Sequence, residues 1–167
     1  LTSSDTTEGT VALVSLVFTD ANWNIAQTVT VTGVNDDVAD GNIAYSIITA
    51  PATSAGGYNG QDASDVTVTS IDNDTAGVTV NPTAGLFTTE GGGTATFSVV
   101  LNSRPTANVT IGVSSNNTTE GTVSPASLTF TDANWNTPQT VTVTGVNDAV
   151  ADGNIVYTIL TALATST

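Results

Sequence analysis

The ionisable side chains of this 167-residue chain are almost all carboxylates: Asp and Glu number 15, Lys and Arg together one, and His and Cys are absent. Arg104 is the single base. Without His, Cys or Lys, the usual general bases and activated nucleophiles reduce to carboxylates and hydroxyls, and no Ser or Thr has an imidazole to activate it. Two uses of the carboxylates remain. One is paired acid–base work of the glycosidase type, which normally sits in a cleft rich in aromatics; two Trp, three Tyr and four Phe in the whole chain do not furnish one, and no enzyme is expected. The other is the binding of a hard cation. The acids gather in short runs set among Asn and Gly: Asp36, Asp37 and Asp40; Asp72 and Asp74 around Asn73; Asp148 and Asp152. Several hard oxygens converging from loops are what Ca²⁺ takes, at six to eight ligands. The same residues also stabilise turns by bonding their own backbone, so the runs have a second reading as plain turns.

A net charge of −14 makes nucleic acid and anionic membrane poor partners, because phosphate contacts rely on Lys and Arg. Absence of Cys rules out a disulfide framework and leans the reading toward a bacterial exoprotein. No apolar run approaches the roughly 20 residues of a membrane span, so no membrane insertion is expected in this segment, and any export signal or anchor is expected outside it.

These loops belong to a repeat. Residues 1–55 return as residues 113–167, an offset of 112, with 39 of 55 positions identical and no gap. The spacing is too long for a solenoid unit and fits a self-sufficient domain strung in an array. Residues 76–112 have no counterpart before Leu1, and residues 56–74 none after Thr167. The expected units are therefore 1–74, lacking its N-terminal strands, and 75–167, lacking its C-terminal strand, cut from a longer array.

What must position the loops is a set of strands. Val141 and Val143 alternate with Thr140, Thr142 and Thr144, and Val29 and Val31 with Thr28, Thr30 and Thr32, the period of a half-buried strand. Turn residues break such runs about every ten positions, as in a two-sheet sandwich. One full unit reads as seven antiparallel strands near 77–82, 94–101, 108–114, 126–131, 139–146, 154–161 and 65–71. Trp23 and Trp135, in identical DANWN turns, are expected to anchor the end of the core rather than to form a sugar platform. Glu8 and Glu120 precede Gly in a turn and read as solvated surface. Gly91–Gly93, with no Lys and no helix after it, is a loop and not a phosphate cradle.

The ordered set AGVTV (76–80), TTEGGGTATFSVVL (88–101), TEGTVSPASLTF (119–130), QTVTVTGVND (139–148) and DVTVTSIDND (65–74) resembles the Calx-β domain, in particular its bacterial repeats in large surface adhesins and exoproteins. The resemblance spans nearly the whole chain. It implies an all-β fold of tandem immunoglobulin-like sandwiches with Ca²⁺ held at loops gathered at one end. By position, it implies as ligands Glu90; Asp36, Asp37 and Asp40; Asp148 and Asp152; and Asp72 and Asp74. Asn35 and Asn147 stand where richly acidic members carry Asp, which lowers the expected affinity. The function it points to is a spacer or shaft of an extracellular adhesin or cell-surface fibre, whose partners are neighbouring repeats in a fibre or sheath. A different reading makes each repeat a binding module for glycan, ice or a host protein through the outward Thr rows.

Overall fold

A computed structural model describes residues 1–166, and these form antiparallel β-sheets with no helix among them. By contacts the chain divides into unit 1, residues 1–36 with 40–73, and unit 2, residues 37–39 with 74–166.

Unit 1 contains strands β1 (Thr2–Ser3), β2 (Gly9–Val11), β3 (Val31–Gly33), β4 (Ile43–Ile48) and β5 (Val66–Ser70). They pair as β1-β4-β5 and β2-β3. Tyr45 and Ile47 of β4 are its buried hydrophobic side chains.

Unit 2 contains β6 (Val78–Asn81), β7 (Thr94–Leu101), β8 (Val109–Ser115), β9 (Gly121–Ser124), β10 (Ser127–Phe130), β11 (Gln139–Gly145), β12 (Ile159–Thr161) and β13 (Thr165–Ser166). One sheet runs β6-β7-β11-β9; the other runs β10-β8-β12, with β13 also on β8. Alternation decides the core. Phe97, Val99 and Leu101 of β7 and Val141 and Val143 of β11 meet Ile111 and Val113 of β8 and Leu128 and Phe130 of β10 in one buried cluster. Every second residue of each strand points into it, so two sheets share one core, an arrangement consistent with a β-sandwich. Trp135 and Tyr157 pack against its edge.

The repeat extends to the hydrogen-bond register. Thr2↔Ile48 and Ser3↔Ile47 in unit 1 match Ser114↔Leu160 and Ser115↔Ile159 in unit 2. Gly9↔Gly33, Thr10↔Thr32 and Val11↔Val31 match Gly121↔Gly145, Thr122↔Thr144 and Val123↔Val143. Side-chain caps recur as well: Asn22 Oδ1 accepts the N–H of Thr19 as Asn134 Oδ1 accepts that of Thr131, and Gln27 donates to the Val17 carbonyl as Gln139 does to Thr129 (2.9 and 2.8 Å).

Where the units differ, a partner strand accounts for it. In unit 2, β11 spans seven residues, of which Gln139–Thr144 pair with β7 and Thr142–Gly145 with β9. Residues 1–73 hold no counterpart of β7, and β3 shrinks to Val31–Gly33, the part that pairs with β2. Residues 15–18, equivalent to β10, form no strand, because β10 pairs with residues 109–112 of β8 and these too lack a counterpart. The reverse holds at the other end: β4 covers Ile43–Ile48 because β5 pairs with it, whereas the equivalent residues of unit 2 form strand only from Ile159. An unpaired strand edge leaves its N–H and C=O groups to water, and extended pairing is lost there.

Burial follows the pairing. Phe130 is 0% exposed and its equivalent Phe18 is 54% exposed. Trp135 packs on the core as the sequence suggests, while Trp23 stands 69% exposed. The expectation of a core anchor thus fails at Trp23, for want of the strands that the same turn meets in unit 2. A strand at Gly121–Ser124, and its equivalent at Gly9–Val11, also replace what reads locally as turn.

Candidate cation site

The pairing of β9 with β11 brings acids together that are far apart in sequence. Gly121 lies opposite Gly145, and the N–H of Val146 donates to the carbonyl of Glu120 (2.9 Å), so Glu120 and the chain leading to Asp148 leave the sheet at one edge. Asp148 Oδ1 accepts the N–H of Val150 (2.8 Å). The chain then brings Asp152 back to the same place, and Gly153 just after it takes φ 80°; a side-chain-bearing residue would be strained at that φ. One carboxylate oxygen from each of Glu120, Asp148 and Asp152 lies within 4.8 Å of the others.

Unit 1 builds the same group. Val34 donates to the Glu8 carbonyl (3.0 Å), Gly41 has φ 83°, and oxygens of Glu8, Asp36 and Asp40 lie within 4.8 Å of one another. Asp72 joins this turn: its Oδ2 accepts the N–H of Gly41 (2.7 Å), and its own N–H donates to Asn42 Oδ1 (3.0 Å).

Of the residues singled out in the sequence, Asp36 and Asp40 therefore meet, with Asp72 bonded to the same turn, and Asp148 meets Asp152. Glu90 is electrostatically coupled to the unit 2 group. Half-buried Glu120 has its carboxyl held above the usual Glu range, first by lost hydration and then by the charges of Asp152, Asp148 and Glu90. Asp37 stands apart from the unit 1 group; it belongs with unit 2, where its carbonyl accepts the N–H of Arg104 (2.7 Å). Asp74 opens the main span of unit 2.

Glu8 and Glu120, read as solvated surface, are the residues that sequence reasoning passed over. The usable signal was the Gly after each. A Cβ on Gly9 or Gly121 would strike the ring of Tyr45 or Tyr157. The Gly is thus a strand residue covered by an aromatic ring, and the preceding Glu is the last residue of a turn, directly ahead of β2 or β9. The Tyr157 hydroxyl is fixed in turn by a hydrogen bond with Thr88 Oγ1 (2.6 Å).

Chemically, three carboxylates at one sheet edge repel one another unless a cation or a proton intervenes. Ligands on opposite sides of a Ca²⁺ ion are about 4.6–5.2 Å apart, twice the usual Ca–O distance, so the observed spread suits three oxygens on one ion. The donor set is all oxygen, which suits Ca²⁺ and leaves no soft ligand for a transition metal. No helix among the described residues is long and apolar enough to cross a membrane. No family model, no curated protein and no solved structure matches this chain.

Proposed function

We propose that this chain is a segment of a structural tandem-repeat array, a spacer or shaft in an extracellular bacterial adhesin or cell-surface fibre, whose units are immunoglobulin-like sandwiches of the Calx-β kind stiffened by Ca²⁺. The observation that carries the reading is the identity of strand register and carboxylate grouping in two copies 112 residues apart. A duplicated fold with a duplicated cation group fits a mechanical element that gains length by copying. A catalytic centre has no need of that. The surface chemistry agrees: outward Thr rows solvate the sheets with little charge, and a net −14 keeps an array extended until cations screen it. Neighbouring repeats are its partners, in a fibre or sheath.

In this reading Glu120, Asp148 and Asp152 hold one ion, with Glu90 adding charge, and Glu8, Asp36 and Asp40 hold the other, with Asp72 bonded to the turn that carries Asp40. Three carboxylates in each group place the affinity in the range of extracellular Ca²⁺ modules, a Kd of about 10⁻⁴–10⁻³ M. At 10 mM Ca²⁺ such binding adds about 1.4–2.7 kcal/mol to the native state, a rise in melting temperature of at least about 5 °C for a unit of this size. Thermal unfolding in EDTA, Ca²⁺ and Mg²⁺ tests it. The rise is expected with Ca²⁺ alone and is expected to shrink in Glu120→Gln. An unchanged melting temperature in Ca²⁺ would return the acid runs to plain turns.

A further inference from the structure

Four Asn-X-Ser/Thr triplets occur in the chain, at Asn73, Asn108, Asn116 and Asn117, and the cation reading uses none of them. Such a triplet accepts an N-linked glycan when it lies in an accessible surface loop. Their surroundings separate the four. Asn108 leads directly into β8, so Val109 and Thr110 are held extended. Asn116 is pinned across the fold, where its Oδ1 accepts the N–H of Thr158 (2.8 Å). Asn117, Thr118 and Thr119 instead form the turn between β8 and β9, with both Thr exposed. There Asn117 Oδ1 accepts the N–H of Thr119 (3.3 Å) and also its hydroxyl (2.6 Å). Among the described residues, no other of these Asn accepts a bond from the hydroxyl of its own triplet, and Asn117 Nδ2 has no partner. The backbone holds the turn in place: the Asn117 N–H donates to Ser115 Oγ (3.2 Å), and its carbonyl accepts the N–H of Gly121 (3.1 Å).

We propose that Asn117 is an acceptor site for an N-linked glycan. The donor is a sugar with a diphosphate leaving group on its anomeric carbon, carried by a nucleotide or by a polyprenyl lipid and delivered by a transferase. Asn117 Nδ2 attacks that carbon. The bond from the carbon to the phosphate oxygen breaks, the diphosphate leaves with the electron pair, and one Nδ2 proton passes to a base of the transferase. Loss of that proton builds negative charge on Oδ1, where the Thr119 hydroxyl already donates, so this hydrogen bond strengthens as the reaction proceeds. The repeat contains its own comparison. Unit 1 keeps the same turn around Asp5, whose Oδ1 accepts the N–H of Thr7 (3.0 Å) and its hydroxyl, but a carboxylate has no nitrogen to offer. Unit 1 thus holds the geometry without the nucleophile. The inference rests neither on cation binding nor on the shaft reading.

Two arms test this on the full chain. In one, the folded chain is incubated with a soluble transferase specific for Asn-X-Ser/Thr and a nucleotide-activated hexose. In the other, it is secreted through a membrane that carries an oligosaccharyltransferase and its lipid-linked glycan. Intact mass and peptide mapping read the product. A single glycan is expected, on Asn117, and the arm that yields it identifies the donor. Asn117→Gln and Thr119→Val are expected to abolish it, whereas Thr119→Ser, which keeps the hydroxyl, and Asn108→Gln are expected to retain it. Asp5→Asn is expected to add a second glycan, at residue 5. No glycan in either arm, higher occupancy of Asn73 or Asn108 than of Asn117, or a single glycan on the Asp5→Asn chain would each overturn the proposal.

Discussion

The chain carries its own control for the energy of its core, because Phe18 and Phe130 share a sequence context and differ in surroundings. Phe130 is 0% exposed, with Leu128, Ile111, Val99 and Val141 also fully or nearly fully buried in the same cluster. Phe130→Ala removes the ring and leaves a cavity enclosed by two sheets, and buried Phe→Ala changes cost about 3–5 kcal/mol. Phe18 is 54% exposed, so less than half of the ring's area is at stake and no closed cavity forms. On an area basis its loss costs about 1–2 kcal/mol. Urea unfolding followed by Trp fluorescence separates them. Trp135 packs on the unit 2 core and shifts its emission when that core opens, whereas Trp23 is already exposed and changes little. With a urea slope near 1.5 kcal/mol/M for a unit of this size, Phe130→Ala lowers the midpoint of the Trp135 transition by about 2–3 M. Phe18→Ala leaves that transition in place. Equal effects of the two substitutions, or a Phe130→Ala midpoint within 0.5 M of the parent (an order-of-magnitude bound from the same slope), would refute the claim that strand pairing in residues 76–112 creates the core.

Gly145 and Gly33 form a second matched pair. A Cβ on Gly145 would run into the backbone carbonyl of Thr89, while one on Gly33 meets nothing within 4 Å. Gly145→Ala is expected to destabilise unit 2 by about 1–3 kcal/mol and Gly33→Ala to be neutral or slightly stabilising, as read by the same urea transitions. The acid group of unit 2 gives a pH dependence. The Glu120 carboxyl is raised in the folded chain, so in EDTA the stability it contributes is fully present below the ordinary Glu range and is lost as pH rises through its raised folded value. Melting curves between pH 4 and 7 should show this loss (an approximate window around the Glu range), and Glu120→Gln should flatten it. Asp5 behaves oppositely: hydrogen bonds from the Thr7 hydroxyl and N–H hold its carboxyl below the ordinary Asp range. Its contribution is present above that range and fades as pH falls through the lowered value. Asn117 fills the same role in unit 2 with Thr119, so Asp5→Asn should remove the acid sensitivity of the unit 1 turn, measured by hydrogen exchange near residues 5–9.

Much of the fold was legible in the chain because alternation and turn chemistry are local properties. β7 and β11 follow directly from Val and Thr alternation, and the 112-residue repeat is visible by eye. Asp36 with Asp40, and Asp148 with Asp152, were within reach for the same reason, being four residues apart in one loop. Glu8 and Glu120 were not. Each reaches its partners across a strand pair, Gly9↔Gly33 or Gly121↔Gly145, and no local pattern states which strands will pair.

Tertiary structure also decided what identical residues do. LTF in unit 2 is a strand with both apolar residues buried, and LVF in unit 1 is largely exposed coil; β10 holds its strand form against residues 109–112 of β8, which serve unit 2 alone. The sequence by itself determined composition, charge, repeat and strand potential, since these are carried by residues and their near neighbours. Which faces are buried, which acids converge and which Trp is covered depended on partners far along the chain, because a β-strand keeps its hydrogen bonds and hides its apolar face only against another strand.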